Sequence, residues 1–486
     1  MNIEVLLKRY ERAKQRRDIW LQDWEDCYQY AFPTRDSFYT STPGGTRTED
    51  IYDDTAVGAV HDFGAMMVEG SLSGDFVKLE PGPNVPDTER QKFREELREI
   101  NAEVLGVMRN SNFEEQAHEG ALDLTIGTGN MLVLSSNDAY VANYMSVPLH
   151  EVTLDRGPHG DIDGVYRSRV MEIDHIKVVW PKANIPEQLK NRNPEQKDKT
   201  SVLECCYRDW SKKELTYIYR IVSPEARAVM WETKYTGMGS KPWVNYRWSK
   251  ASGEIYGRGP LLNCLNSVRA TNLVMSMTFE NADIGIGGVW TMEHDGVVNP
   301  DTIEIESGTI IPHMPGSKGL RGVTSPSNFD LSNIIVEEQR RNIRRSLYVE
   351  DYEGKGKTPI SKEEIDARRS MLARRIGAPF NRYFREFIAP AYVATVHIMK
   401  KEGLIEMPQI NGRDIQVVPR SPFARAADEE MASRKFMYVQ GVQSLVGPEQ
   451  TQVYVKIEDV IEDMTELMDQ PKAYLRNEAE REKLVG

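Results

Sequence analysis

Gly354-Lys355-Gly356-Lys357-Thr358 is the stretch of this chain that comes nearest to a phosphate-binding loop. In such a loop, backbone N–H groups and a lysine cradle the phosphates of a nucleotide. That chemistry requires a glycine five residues ahead of the Gly356-Lys357 pair and a strand leading into it. Asp351 stands at that position and no strand pattern precedes it, so the segment reads as a basic, Gly-containing loop. Gly127-Thr128-Gly129-Asn130 lacks the third glycine of a dinucleotide fingerprint and precedes a strand pattern instead of following one. It reads as a helix stop. His150-Glu151 is not followed by a histidine at the spacing of a zinc-protease helix. The eight histidines are scattered, none at a ligand spacing from a cysteine, and no Gly-x-Ser-x-Gly is present. The acid clusters Asp53-Asp54 and Asp428-Glu429-Glu430 could hold Mg²⁺ in a nuclease. They lie on distant segments and read better as solvated faces, the second with Arg425 and Arg434 nearby. No catalytic residue, metal ligand or cofactor-binding residue is assigned, and the chain is expected not to be an enzyme. A metal-dependent nuclease is the catalytic alternative.

What, then, are 486 residues for? A chain of this length can bury a large core and hold two to four structural domains. Its 40% hydrophobic and 28% charged residues are those of an ordinary folded protein. No apolar run reaches the roughly 18 residues of a membrane helix. The charged N-terminus, Met1 to Arg17, does not resemble a secretion signal. Cys27, Cys205, Cys206 and Cys264 form neither a disulfide framework nor a metal site, and are expected to be reduced thiols of a cytoplasmic protein. In a strand, Cys205 and Cys206 would point to opposite faces. A net charge of −13 argues against tight holding of nucleic acid, which needs Lys and Arg to neutralise phosphates. It leaves open a protein that DNA must slide through without sticking.

The elements follow from periodicity. The first thirty residues predict one amphipathic helix, with Trp20, Trp24, Cys27, Tyr28 and Ala31 on one face and Pro33 ending it. Ala56 to Leu72 predicts a buried helix of small and apolar residues, and Glu89 to Arg109 a third helix. From Gly129 the period becomes that of strands: Met131 to Ser135, Tyr140 to Ser146, Val165 to Glu172, Ser201 to Tyr207, Leu215 to Val222 and Val229 to Thr233. Asp155-Arg156-Gly157 and Asp161 to Gly164 mark a hairpin, and Asn184 to Thr200 reads as an exposed excursion. Helix is predicted again from Tyr256 to about Asp283, and from Ser332 to Leu347. Between these two helices, Val289 to Val323 is Gly/Pro-rich with short β-type runs. A longer helix opens at Ser361 with Glu364 as a capping box, and Pro390 is expected to kink it. Asp414 to Val418 is extended. Ala424 to Leu445 and Glu449 to Met468 are helical, and a charged tail runs from Lys472.

Ser252-Gly253-Glu254-Ile255-Tyr256-Gly257-Arg258-Gly259-Pro260 resembles the signature that opens the channel-side helix of head-to-tail connector (portal) proteins of short-tailed bacteriophages. Further segments resemble the same family in order. They are Arg17 to Pro33, Ala56 to Leu79 with Ser71-Leu72-Ser73 and Phe76, and Leu124 to Leu134 with Thr128-Gly129-Asn130. Pro242-Trp243 and Pro422 to Ala427 complete the set. The resemblance implies an α+β, portal-type fold: helix-rich, with a β-containing wing, a two-helix stem, a small α/β clip and a helical crown, assembled as a ring. On this sequence it implies a wing at 1–250, stem helix 1 at 251–285, a clip at 286–330 and stem helix 2 at 331–348. A channel loop at 349–360, a long kinked wing helix at 361–403, and a crown with C-terminal tail at 404–486 would follow.

It also implies partners: further copies of the chain in a ring of about twelve, the terminase large subunit, tail adaptor proteins, and the major capsid and scaffolding proteins. Double-stranded DNA would pass without sequence specificity and no membrane is involved. The place would be the portal vertex of a virion, assembled in the host cytoplasm. The second stem helix carries Glu337, Glu338, Arg340, Arg341, Arg344 and Arg345, with Glu337 and Arg341 at i,i+4. Without a wide apolar stripe this helix is not expected to be a core element. Its arginines would make salt bridges within or between subunits, or contact phosphates. Lys355 and Lys357 would set a band of cations around the ring, touching the DNA backbone without base readout. DNA-channel candidates are therefore Lys355, Lys357, Arg340, Arg341, Arg344 and Arg345. Another virion component, a tail adaptor or a scaffold, is the structural alternative; the β-rich stretch 129–233 speaks against a scaffold.

Overall fold

The computed structural model describes the chain apart from residues 40–44, 46, 83–84, 136–138, 191–198, 288, 292–320, 324–328, 350–374, 407–414, 421, 458–459, 462–463 and 466–486. Lys355, Lys357, the Ser361 cap, most of the 286–330 segment and the charged tail lie outside the described residues. The elements in order begin with α1 (Ile3–Asp18), α2 (Leu21–Ala31), α3 (Thr55–Leu72), β1 (Val77–Pro81), α4 (Asp87–Arg109) and α5 (Phe113–Ile126). Then come β2 (Thr128–Ser135), β3 (Ala142–Ser146), β4 (Val152–Arg156), β5 (Ile162–Glu172), α6 (Ile173–Val179) and α7 (Glu187–Lys190). β6 (Lys199–Arg208), β7 (Thr216–Ser223), β8 (Ala228–Thr236), β9 (Trp243–Arg247) and α8 (Pro260–Gly287) follow. The chain continues with β10 (Val289–Thr291), β11 (Arg321–Val323), α9 (Phe329–Ser346), α10 (Ala389–Lys401), β12 (Ile415–Pro419), α11 (Pro422–Val446) and α12 (Pro448–Tyr454). The fold is mixed helix and sheet.

The chain divides into two compact units. The first holds residues 1–25, 60–262 and 351–486. Its largest sheet is an antiparallel meander ordered β4-β5-β6-β7-β8. β6 is buried along almost its whole length, so alternate side chains serve two faces. Cys205 joins Leu6, Tyr10 and Ala13 of α1 in one apolar cluster with Tyr166, Leu203 and Val222. Cys206, the next residue, faces the opposite side, as a strand requires. A second sheet, β3-β2-β9, places the buried strand β2 at its centre, and β1 pairs antiparallel with β12 across more than three hundred residues of sequence. Between them runs an aromatic core: Phe113 lies 4.8 Å from Tyr144, 5.8 Å from Phe387 and 6.2 Å from Phe76, ring centre to ring centre. Burying an aromatic ring in such a cluster is worth about 3–5 kcal/mol against alanine.

The expected single N-terminal helix is two. Trp20 N–H closes back on Arg17 C=O, an i→i−3 bond that ends α1 with Ile19 exposed, and α2 restarts at Leu21. The expected kink at Pro390 takes a specific form. Proline has no N–H to give to residue i−4 and its ring crowds that carbonyl. The backbone responds with a π-helical turn over Phe384–Ile388, in which Ala389 N–H reaches Phe384 C=O, five residues back. The 184–200 segment is not wholly exposed, since Ile185 and Leu189 are buried and Asn184 N–H bonds Met230 C=O. The helix expected from Tyr256 starts at Pro260, whose missing N–H costs nothing in a first turn. Residues 251–259 are a loop.

The second unit holds residues 26–59 and 263–350. Here the Cys264 thiol at the start of α8 shares a hydrogen bond with Ser346 at the end of α9, so the two helices run antiparallel. At about 1.5 Å per residue the 28-residue α8 is roughly 42 Å long. The short strands β10 and β11 pair antiparallel in the segment joining them. α9 buries only a narrow stripe, Val336 and Ile343, continued by Leu347 just past its end, so it has a thin seam and no wide apolar stripe. No helix among the described residues is long and apolar enough to cross a membrane.

All four cysteines are buried thiols, and none is in a disulfide. Burial pushes the Cys206 thiol up to about 12 and the Cys264 thiol to about 11, with neighbouring groups making smaller changes. Thiolate is the reactive form. At pH 8 the native protein is therefore expected to leave a thiol reagent unreacted over minutes, and four thiols to titrate after denaturation. Rapid native reaction of two or more would contradict this packing.

Candidate functional site

Five segments far apart in the sequence meet at one joint in the first unit. α5 ends where Gly127 N–H bonds Asp123 C=O, and the chain turns directly into β2. Against this turn lies the loop 252–260. Gly257 N–H donates to Thr128 Oγ1 at 2.9 Å and Gly259 N–H to Ile126 C=O at 2.8 Å. From β9's end, Trp248 N–H donates to Gly127 C=O at 3.0 Å, and Arg258 N–H to Ser249 C=O at 2.9 Å. The approach is so close that a Cβ on Gly257 would stand 2.0 Å from Gly127 O, and one on Gly259 2.0 Å from Thr125 O. No side chain fits at either place. These two glycines are what the Gly-x-Gly-Pro of the signature supplies.

The non-glycine residues of the loop lock it. Tyr256 is fully buried, 4.9 Å from Trp24 and 6.4 Å from Trp20, ring to ring, and its hydroxyl accepts the Leu154 N–H at 2.9 Å. The Arg258 guanidinium lies 4.7 Å over Trp20 while forking onto Glu254 at 2.7 and 3.0 Å. Arg247 holds Ile255 C=O and makes a two-pronged pair with Glu386 at 2.7 and 2.9 Å. Trp20 and Trp24, the Thr128 step and the Ser252–Pro260 signature are thus one structure, which fixes the first turn of α8.

In the second unit the arginines of α9 separate into two kinds. Arg340 points inward: its Nε donates to Asp53 Oδ2 at 2.8 Å and its Nη1 to Glu337 Oε1 at 2.9 Å. Burial opposes the Arg340 charge, but these carboxylates more than restore it and leave its pKa above the ordinary value. Asp53 is itself buried and accepts Thr55 N–H, capping α3, while Asn272 of α8 accepts the Tyr52 and Asp53 N–H groups at 2.7 and 3.3 Å. The chain Arg340–Asp53–Asn272 therefore latches α9 to α8. Arg269 likewise pairs with Asp26. Arg340 is a structural ion pair, and the carboxylate expected to be a solvated face is its partner. Glu337 pairs with Arg340 at i,i+3 and not with Arg341, whose Nε reaches the Glu337 carbonyl at 3.3 Å. Arg341 and Arg345 lie on the exposed face with Glu338 and Ile334, and Arg344 is half-buried beside it. Sequence reasoning treated the four arginines alike, and the contact of Arg340 with the buried Asp53 carboxylate is what separates them. Among the described residues no group of three or more His, Cys, Asp or Glu could hold a metal ion.

Residues 4–475 match the family of bacteriophage head to tail connecting proteins, and the chain belongs to that family. It is a portal, or head-to-tail connector, subunit, a member of a family of structural proteins. A probable portal protein of Bordetella phage BPP-1 is 21% identical over 456 residues, covering 87% of this chain and 79% of that protein. Among solved structures, a chain from the neck of an empty GTA particle aligns with a TM-score of 0.38 and 12% identity, over 80% of this chain and 87% of that one. One from the virion of the native gene transfer agent particle aligns with a TM-score of 0.37 and 11% identity over the same shares. Scores this low do not bear on the fold.

The joint generates a graded expectation. Gly257→Ala places a methyl group on a backbone carbonyl and should cost several kcal/mol, seen as insoluble protein or a melting temperature lowered by ten degrees or more. Gly253→Ala, at φ +88° with open space around it, should cost only about 1–2 kcal/mol. Equal tolerance of the two in thermal melts would contradict the joint.

Proposed function

We propose that copies of this subunit close into a ring at one vertex of a phage head, and that double-stranded DNA is packaged and ejected through its lumen. The observation that carries the reading is the latched antiparallel pair α8–α9, which bears an exposed charged face outside its seam. A pair latched by Asp53 and Asn272 can keep its shape as a stem while presenting Glu338, Arg341 and Arg345 outward. Repeated around an axis, these side chains form bands of mixed charge. Such bands touch phosphates weakly and without base readout, as passage requires.

In this reading α8 and α9 are the stem, 286–330 the clip, 349–360 the channel loop, 1–250 with the kinked 361–403 helix the wing, and 404–486 the crown. The clip end is where a terminase docks during packaging and a tail adaptor afterwards, with capsid and scaffolding proteins meeting the outer rim. The subunit is a passive platform without an ATPase or nuclease of its own, and the motor comes from a partner. Its place is the virion, after assembly in the host cytoplasm. Of the DNA-channel candidates, Arg341, Arg345, Lys355 and Lys357 are retained as phosphate contacts with Arg344 at their edge, and Arg340 is assigned to the latch.

Two double variants test this division. Arg341→Ala with Arg345→Ala, and Lys355→Ala with Lys357→Ala, should each still give a particle near twelve times the 55.5 kDa chain by light scattering. Each should lower packaged DNA severalfold in a packaging assay. Unchanged packaging removes the altered pair from the DNA contacts, and a stable monomer or dimer of the unaltered chain overturns the ring.

A further inference from the structure

The first unit contains a pocket of about 760 Å³ that the connector reading does not use. The turn between β8 and β9 forms one wall, and the π-helical turn with the start of α10 forms the other. Gly239, at φ +75°, lies so close to α10 that a Cβ would meet Val393 O at 2.4 Å, so the two walls are joined tightly at their base.

Five cations, Lys241, Arg247, Lys250, Arg382 and Arg385, line the pocket against two acids, Asp161 and Glu386. Glu386 is already committed, to Arg247 by two hydrogen bonds and to Arg382 at 3.4 Å. The other three cations have no carboxylate partner within ion-pair distance among the described residues. Lys241 Nζ has only the Asn245 amide oxygen, at 3.4 Å, and the Tyr217 ring at 5.7 Å. Lys250 has a backbone carbonyl, Gly160 O at 3.1 Å, and Arg385 is exposed. Burial pushes the Lys241 ammonium below its ordinary pKa, a penalty that a neighbouring anion would relieve. The Trp243 indole also lines the pocket; it is 2% exposed, and its N–H is buried without an acceptor. A buried donor is nearly always paired in a finished structure. Donors and cations in excess, and acceptors missing, describe a site for a carboxylate-bearing ligand.

The rest of the lining selects which kind. Met238, 63% exposed, and Val393, Pro390 and Leu215 make about half of it apolar. A DNA duplex presents phosphates on a convex surface about 20 Å wide, and neither enters such a cavity nor gains from its apolar wall. A polypeptide carrying both acids and apolar side chains satisfies both halves, and anchoring such a segment on aromatic, Met and Arg side chains is how protein interfaces are built. The chain carries such a segment. Residues 457–469, Ile-Glu-Asp-Val-Ile-Glu-Asp-Met-Thr-Glu-Leu-Met-Asp, hold six carboxylates and no cation, with Ile457, Ile461, Met464 and Met468 recurring at helical spacing. In its own chain the pocket is lined by no described residue beyond Val393.

We propose that the pocket receives the acidic segment 457–469 of a second copy of the chain. Each copy then offers one pocket and one segment, a head-to-tail contact that generates a closed ring without self-complementary surfaces. The inference rests on the ring reading and can fail independently of it.

The test mixes two full-length single variants, Met238→Cys at the rim and Ile461→Cys on the segment, before assembly, and then oxidises the particles. A non-reducing gel should show covalent dimers in the mixture and none from either variant alone. Arg385→Glu, at an exposed position, should cut the dimer yield severalfold in the same particles. Rings without dimers, or a yield indifferent to Arg385→Glu, overturn the proposal while leaving the ring intact. So does loss of DNA binding in a gel shift on Arg385→Glu with no cross-link, which would make DNA the occupant. Failure to form rings at all overturns the reading beneath it.

Discussion

Two stretches of backbone touch at Gly127 and Gly257 with no side chain between them, and much of the first unit is arranged around that contact. Carbonyls and N–H groups of α5's last turn are shared with the loop before α8, so neither can shift without breaking buried hydrogen bonds. Each buried polar group left unpaired would cost about 1–3 kcal/mol. The aromatic triangle of Trp20, Trp24 and Tyr256 and the Arg258–Glu254 fork then exclude water from one side of the contact. On the other side Arg247 and Glu386 tie the same loop to the π-helical turn.

The second unit solves a different problem, keeping two long helices paired with little apolar surface. α9 buries only two large apolar side chains among its described residues, Val336 and Ile343, with Leu347 just after its end, too few to hold a helix of 18 residues by packing alone. The deficit is met by charge: Arg340 enters the seam, finds the buried Asp53 carboxylate, and Asp53 in turn is fixed by Asn272 and by the α3 cap. Removing one member of such a set leaves a buried charge uncompensated, which is more costly than never having had the pair. The remaining positions of α9 are thereby left to face outward.

The sequence carried the order of helices and strands, because small apolar runs such as Ala56–Leu72 and turn-bounded β runs are local signals. The end of α5 was legible, since Gly127 read as a helix stop, but its body escaped because it is buried all round from Gly120 to Ile126 and shows no amphipathic period there. β9 escaped for a similar reason, since Asn245 and Arg247 are buried beside Val244 and Tyr246. β1 depends on a partner more than three hundred residues away, which no local pattern announces. The joint was half legible: its motifs were each visible, but that Thr128-Gly129 and Gly257-Arg258-Gly259 meet is a fact of packing. The split among the α9 arginines was not legible at all, since Asp53 looks in sequence like any exposed acid before a helix.

The account stands on copies of one chain enclosing a hole flanked by α8 and α9. Electron cryomicroscopy of the purified particle tests that directly, with a map in which both helices can be traced. The account predicts a closed ring with rotational symmetry, an axial opening wider than a duplex of about 20 Å, and the Arg341–Arg345 face of α9 turned toward it. A map of a discrete, unsymmetrical oligomer, or a ring with α9 buried away from the opening, would contradict it.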